Sequence, residues 1–306
     1  MVLDEAAVRS VLHYEDLIPA VSRALAALSA GEVVQPVRMV VPVAEHGGFL
    51  GVMPAYTGAL GAKLVTFFPR NERVATHHAL VMLFAPETGE PLALMDGRLI
   101  TEMRTAAASA VATDLLARRD ARCLAILGAG VQAGSHLEAL RRVRDLPEVR
   151  VWSPRRARAF ADAHAIDAAD SAEAAVRGAD IVVVATTATT PVLRGAWLAP
   201  GVHVNAVGAC RPEWRELDDE TLRRARLFVD SRDAAQTEAG DVIAAGAVDA
   251  ELGDVVQGVA PGRQSASEIT VFKSVGVAVE DVAAAELVYR IRQGPGLPGP
   301  TPTSIP

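Results

Sequence analysis

Lysine is almost missing from this chain: 30 of its 306 residues are basic, and only Lys63 and Lys273 are lysine. The two exceptions are worth following. Cysteine is equally scarce, with Cys123 and Cys210 alone, which excludes a disulfide framework and the spacing of a metal site. A reducing cytoplasm is the plain reading, and Cys123, in a predicted buried strand, behaves as a small hydrophobe. No uninterrupted apolar run reaches the length of a membrane span. The start, Met1 to Glu5, has neither a basic segment nor the apolar core of a secretion signal. Positive charge is not in excess either: the formal net charge is -7, so no strongly cationic surface for nucleic acid is expected. What remains is half hydrophobic and 22% charged, a globular composition long enough for two domains.

Periodicity divides the chain. Residues 4–30 carry Leu17, Ala20 or Val21, Leu25 and Leu28 at helical spacing. Short strands are then predicted over 33–43, 49–56, 60–68, 80–85 and 91–95, with Pro86-Glu-Thr-Gly89 as a hairpin turn. A helix is predicted over 100–117, with Thr101 as its candidate cap. From Arg118 strands and helices alternate: strands at 122–127, 148–152, 180–185, 202–206, 225–230 and 268–274, and helices at 131–143, 155–165 and 171–177. Residues 232–252 read as helical or loop-like. A last helix covers 277–290, with Val279, Ala283 and Leu287 on one face. The pattern predicts an α/β protein with a Rossmann-type doubly wound parallel sheet. The tail over 294–306 is too rich in proline and glycine to pack and is expected to be disordered.

One turn has chemical meaning. Gly128-Ala129-Gly130, followed by Val131-Gln132-Ala133, has the Gly-x-Gly-x-x-Ala pattern after a hydrophobic strand and before an amphipathic helix. The first glycine makes the turn, the second admits a pyrophosphate, and the small third residue lets the helix approach the sheet. Free N–H groups at the helix start suit the phosphates. A dinucleotide is therefore the expected cofactor. Sites that take NAD(H) usually place a carboxylate at the end of the second strand, where this chain has Ser153, followed closely by Arg155 and Arg156. Two arginines suit a 2′-phosphate, so NADP(H) is favoured, with NAD(H) as the alternative. Thr186, Thr187, Val207 and Gly208, after two later strands, are the expected nicotinamide side.

Three cations interrupt apolar segments of the first half: Arg38, Lys63 and Arg104. Buried charge is costly unless it is paired or meets a ligand. Convergence of the three would suit a small carboxylate; separate residues with partners such as Glu102 are the alternative. His77 and His78 are adjacent but lack the spacing of a metal site, so no metal is expected. No Gly-x-Ser-x-Gly elbow or Walker lysine motif occurs.

These features, taken with Gln-Pro-Val-Arg at 35–38, Leu-Gly-Val-Met-Pro-Ala-Tyr at 50–56, Ala-Lys-Leu-Val-Thr at 62–66 and Ala-Leu-Met-Asp-Gly at 93–97, resemble the ornithine cyclodeaminase/mu-crystallin family. So do Arg-Thr-Ala-Ala at 104–107, Asn-Ala-Val-Gly-Ala at 205–209, Arg-Pro-Glu-Trp-Arg-Glu-Leu-Asp-Asp at 211–219 and Val-Phe-Lys-Ser-Val-Gly at 271–276. The likeness is greater to the mu-crystallin (ketimine reductase) branch than to the cyclodeaminase proper. It implies a substrate-binding and dimerisation domain of 1–117 plus 277–293, a dinucleotide-binding domain of 118–276, and a homodimer. It implies Arg38, Lys63 and Arg104 as the carboxylate-binding set, with Lys63 and Arg104 catalytic, and Cys210 as a wall of the substrate pocket. Where the cyclodeaminase has a glutamate and a catalytic aspartate, this chain has Gly51 and Cys210.

The implied reaction is NAD(P)H-dependent reduction of a cyclic ketimine carboxylate to an amino acid. Arg38 and Arg104 would hold the carboxylate, and Lys63 would join them or deliver a proton. The alternatives are an amino-acid dehydrogenase acting on an acyclic imine, a surviving cyclodeaminase, and a nucleotide-dependent small-molecule binding protein without catalysis.

Overall fold

The computed structural model describes residues 1–294, so the tail expected beyond Gly294 lies outside the described residues. Two compact units divide the chain: Met1–Arg104 with the segment from Gly276 onward, and Thr105–Val275.

The first unit opens with β1 (Val2–Leu3), α1 (Glu5–Arg9) and α2 (Tyr14–Ser29). The single helix expected over 4–30 is thus two. Ser10 turns its hydroxyl onto the Ala7 carbonyl at 2.8 Å, and this local bond competes with continuation of the helix. There follow β2 (Met39–Val43), β3 (Gly48–Tyr56), β4 (Leu60–Phe67), β5 (His77–Phe84) and β6 (Pro91–Asp96). The expected strand over 33–43 begins only at Met39; upstream, Val34 makes a lone bridge to Tyr56. The sheet order is β1-β6-β5-β4-β3-β2, antiparallel except for the β1–β6 pair. Gly89, at φ +75°, closes the β5–β6 hairpin, with Ala85 and Glu90 paired across it.

Alternation gives this sheet two different faces. Met53, Ala55, Val65, Phe67, Val81 and Leu83 are buried on one of them, and Lys63 takes its place in that row. The last described helix, Ala278–Gln293 (α11 in chain order), lies on β3, β4 and β5 and packs beside α2. It comes close because residue 61 is glycine: a Cβ there would stand 3.1 Å from Val282 Cγ2 and 2.8 Å from the Met82 carbonyl oxygen. Burial of a valine such as Val282 contributes about 1.5–3 kcal/mol. The buried stripe of α11 runs through Ala278, Asp281, Val282, Ala285 and Val288. Of the face expected from the sequence, Val279 is buried, whereas Ala283 and Leu287 are half-exposed.

Both units share α3 (Gly97–Leu116), whose residues 97–104 belong to the first and 105–116 to the second. The contact boundary therefore falls inside the helix and not at residues 117–118. Thr101 is not its cap: its hydroxyl donates to the Gly97 carbonyl at 2.7 Å inside the helix. Asp96 takes that role, accepting from the Arg98 and Leu99 N–H groups.

The second unit comprises β7 (Cys123–Leu127), α4 (Val131–Leu140), β8 (Glu148–Trp152), α5 (Ala157–His164), β9 (Asp167–Ala168), α6 (Ala172–Val176), β10 (Ile181–Val184) and β11 (His203–Ala206). It continues with α7 (Asp219–Arg224), β12 (Ala225–Val229), α8 (Arg232–Glu238), α9 (Gly240–Ala245), β13 (Ala250–Glu251), α10 (Leu252–Val256) and β14 (Ile269–Lys273). All pairs in its eight-stranded sheet are parallel, in the order β13-β12-β14-β11-β10-β7-β8-β9. Continuous apolar runs make this possible, because both faces are covered: every residue of β7, β10, β11 and β14 is buried. The chain winds outward from β7 to β9 and then returns to β10 on the other side of β7. Strand order reverses there, and ligands of such sheets sit at that reversal, beyond the strands' C-terminal ends. The protein is thus α/β, a Rossmann-type doubly wound sheet with a second α+β unit. Among the described residues no helix is long and apolar enough to cross a membrane.

Candidate active site

At the C-terminal edge of the parallel sheet, Gly128 follows β7 directly at the strand-order reversal. Its φ is +116°, and a Cβ there would overlap the Ala185 carbonyl oxygen, so only glycine fits the turn. Its N–H is held by the Trp152 carbonyl at 2.9 Å. Ala129 completes the turn. Gly130 is exposed with open space where a Cβ would project, and it begins α4 with no side chain capping the first turn. Val131, the first helical residue, is 56% exposed. Ala133 is fully buried, as the close approach of helix to sheet requires. An open glycine before an uncapped helix N-terminus fits a pyrophosphate.

The neighbours of that turn follow from strand register. Leu127 is level with Trp152 on β8 and Val184 on β10, and Val184 with Ala206 on β11. Ser153, Gly128, Ala185–Thr186 and Val207–Gly208 therefore stand in a row along one edge of the sheet. Gln132 lies in the first turn of α4, half-buried. Arg155 and Arg156 are exposed between β8 and α5, and neither has an ion-pair partner among the described residues. Thr187 is exposed after Thr186.

Beneath this edge lie charged groups that the sequence did not single out as a set. Glu216 is fully buried, and its Oε1 accepts from the Thr186 N–H at 2.9 Å and hydroxyl at 2.6 Å. Burial pushes its carboxyl up to about 7, against Lys273 and the Thr186 bonds, which favour the carboxylate. Lys273, fully buried at the end of β14, donates to the carbonyls of Gly208 and, at 3.4 Å, Ala206.

In the first unit, two of the three cations singled out from the sequence share a partner. Lys63 Nζ lies 2.7 Å from Asp281 Oδ2, and Arg104 Nε donates to Asp281 Oδ1 at 2.8 Å. Arg104 Nη1 also reaches Glu280 at 2.7 Å. Arg38 donates to the Gly276 carbonyl at 2.9 Å, and Gly276, at φ +75°, lies so close to Arg104 that a Cβ would overlap its guanidinium. Lys63, Arg104, Glu280 and Asp281 are all buried, whereas Arg38 is half-exposed. The partner is not Glu102, which pairs with Arg98 at 2.9 Å.

Burial and then the Arg104 charge push the Lys63 ammonium down to about 7, while Asp281 holds it up. Burial would raise the Asp281 carboxyl, but Arg104 and Lys63 hold it below the usual carboxylate range. Glu280 and Asp281 escaped the sequence reading because acids in the first turn of a helix are ordinarily explained by the helix dipole. The signal that would have found them is charge balance, since two cations in apolar segments need buried counter-charges.

Cys210 belongs to the second unit, in the loop after β11. It is half-buried and follows Ala209, a non-glycine residue at φ +50°; its Sγ lies 3.6 Å from the Val207 carbonyl oxygen. Gly51, where the cyclodeaminase has glutamate, sits beside Arg38, whose Cδ would be 3.7 Å from a Cβ at that position.

The sequence pattern of the ornithine cyclodeaminase/mu-crystallin family matches residues 1–294. The ketimine reductase mu-crystallin of Mus musculus is 51% identical over 286 residues, spanning 89% of this chain and 91% of the relative. Among solved structures, Thermococcus litoralis Delta(1)-pyrroline-2-carboxylate reductase in complex with NADH and L-proline is 39% identical. It superposes with a TM-score of 0.90, covering 94% of this chain and 96% of that one. An archaeal alanine dehydrogenase dimer with bound NAD is 36% identical with a TM-score of 0.89, covering 94% of each chain. The chain belongs to the ornithine cyclodeaminase/mu-crystallin family.

Proposed function

We propose that this chain is an NAD(P)-dependent oxidoreductase that reduces the C=N bond of a carboxylate-bearing cyclic ketimine, yielding an L-amino acid. The observation that carries the reading is the Lys63–Asp281–Arg104 cluster, with Glu280 on Arg104 and Arg38 beside the same Gly276 turn. Lys63 and Arg104 are buried cations in apolar segments, and a site of that kind suits the carboxylate of a substrate. The relatives named ketimine reductase and pyrroline-2-carboxylate reductase act on that class of compound.

Arg38 and Arg104 hold the substrate carboxylate and so fix which face of the imine is presented, a positioning effect. NAD(P)H, when bound, would supply the hydride that the imine carbon receives. Lys63 supplies the proton to the imine nitrogen and becomes a neutral amine. An ammonium held to about 7 is suited to this, because at neutral pH it is both substantially protonated and a willing donor. The sign follows directly. Lys63 is charged below that value, so reduction is fastest on the acid side and falls as pH rises through about 7.

Gly51 and Cys210 bring no carboxylate to the places where the cyclodeaminase has two, which speaks against cyclodeamination. NADP(H) is the favoured cofactor because Ser153 is level with the glycine turn and Arg155 and Arg156 are exposed beside it; NAD(H) is the alternative, as the relatives with bound NADH and NAD illustrate. Neither cysteine is in a disulfide, in keeping with a reducing cytoplasm.

The first unit also favours a homodimer. The outward face of its sheet sets Met39, Val52, Leu64 and Leu80 side by side across β2 to β5, and Met39, Leu64 and Leu80 are 63%, 43% and 46% exposed. A contiguous apolar row on four strands suits a second copy of the same sheet. The test of the activity is a panel of cyclic ketimine carboxylates of different ring size, with 2-oxo acids plus amines alongside, followed by NADPH and NADH oxidation. Turnover of the cyclic ketimines above the acyclic pairs is the expected outcome, and no turnover on any of them ends the reductase reading.

A further inference from the structure

The buried pair Glu216 and Lys273 is used neither by the carboxylate clamp nor by the glycine turn. Glu216 is fixed before its side chain acts: its carbonyl accepts from Val192 and Leu193 at 2.9 and 3.0 Å, and its N–H donates to Asp241 Oδ1 at 3.1 Å. The carboxylate then holds Thr186 through both its N–H and its hydroxyl. The Thr186 hydroxyl in turn accepts from the Ala188 N–H at 3.1 Å, which orders the loop beyond β10. At Gly208 the loop beyond β11 presses on the same group, because a Cβ there would overlap both Glu216 Oε1 and the Thr186 carbonyl oxygen. Lys273 draws the Gly208 carbonyl from below, from the end of β14.

Three adjacent strand ends are thus tied by two charged residues with no solvent exposure. Burying a carboxylate and an ammonium is costly, and well-packed apolar residues usually stabilise such a place as well or better. Glu216 even leaves its Oε2 without a hydrogen-bond partner among the described residues. A cost of that kind is kept where the geometry it enforces is needed.

We infer that Glu216 and Lys273 are positioning residues for the nicotinamide end of the dinucleotide, setting the height of Thr186 and Gly208 against which that end seats. The inference rests on the reading that the dinucleotide binds at the Gly128–Gly130 turn. It distinguishes the two ends of the ligand: the glycine turn and α4 hold the pyrophosphate, whereas Glu216 acts only on the part beyond it.

The test is calorimetric titration of the full chain, as wild type, Glu216→Gln and Thr186→Val. The ligands are NADPH and 2′-phospho-ADP-ribose, which lacks the nicotinamide, together with NADH and ADP-ribose. Glutamine keeps one acceptor for Thr186 but exchanges its charge-assisted bonds for weaker neutral ones, so Glu216→Gln is expected to weaken NADPH by about tenfold. Binding of 2′-phospho-ADP-ribose should stay within about twofold of wild type, since that fragment touches none of these groups. Thr186→Val keeps the backbone bond and loses the hydroxyl, so it should shift the same ligand in the same sense by less. It decides the matter if Glu216→Gln does not fold. Equal weakening of nucleotide and fragment, or no weakening of either, overturns the inference. A wild type that binds none of the four ligands overturns the dinucleotide reading instead.

Discussion

Replacing Asp281 by asparagine changes one charge and almost no volume, at the point where Lys63 and Arg104 meet. The carboxylate lies 2.7 Å from Lys63 and 2.8 Å from Arg104, with all three groups out of solvent. Removing one partner of a buried pair costs about 3–5 kcal/mol, because the remaining charge is left uncompensated. Asparagine can still accept one hydrogen bond from Arg104, and Glu280 still neutralises that guanidinium, so the lower end of that range applies to stability.

The larger effect falls on Lys63. Burial and Arg104 already push its ammonium down to about 7, and Asp281 is what opposes them. With that opposite charge gone, burial and Arg104 act unopposed, so the variant's ammonium titrates below the wild type's. At pH 7 a smaller fraction is then protonated, and kcat for imine reduction falls about fivefold or more. Most of that loss returns on acidification. The assay is kcat against pH from 5 to 9 at saturating NAD(P)H and ketimine, for the wild type and Asp281→Asn. An acidward displacement of the basic limb is the expected result. A uniform drop at every pH, with the limb unmoved, would refute the assignment of Lys63 as the proton donor.

Three further outcomes follow from the same geometry. Gly276→Ala adds a Cβ at a left-handed φ of +75° against Arg104, so KM for the ketimine should rise about tenfold or more while NADPH affinity, measured by titration, is unchanged. Exchanging Arg155 and Arg156 for alanine together should lower kcat/KM with NADPH at least about tenfold and leave NADH within about twofold; parallel losses on both would remove the 2′-phosphate assignment. Leu64→Glu puts a charge in the middle of the exposed row on β4, and light scattering after gel filtration should then show a monomer, whereas an unchanged mass would place the dimer contact elsewhere.

Much of the dinucleotide half was legible in the linear order of residues, because its determinants are local. A buried apolar run, two glycines and a small third residue specify strand, turn and helix within twelve positions, and the required φ of +116° at Gly128 is met by glycine alone. The alternation of strands and helices after it specifies a parallel sheet for the same reason. Lys63 and Arg104 were also visible, as charges interrupting apolar runs. Their partners were not. Asp281 lies 177 residues from Arg104 and is brought to it only because α11 returns to the first unit's sheet over Gly61. Lys273 stood out as one of two lysines, but its association with Glu216 was hidden likewise, because only the order of β10, β11 and β14 in the sheet joins them. Local backbone geometry and hydrophobic period are properties of neighbouring residues, so the sequence by itself determined the turn, the sheet type and the candidate cations. Counter-charge in a desolvated interior is a property of distant residues, and only the tertiary structure decided which acids hold those cations and where Lys63 titrates.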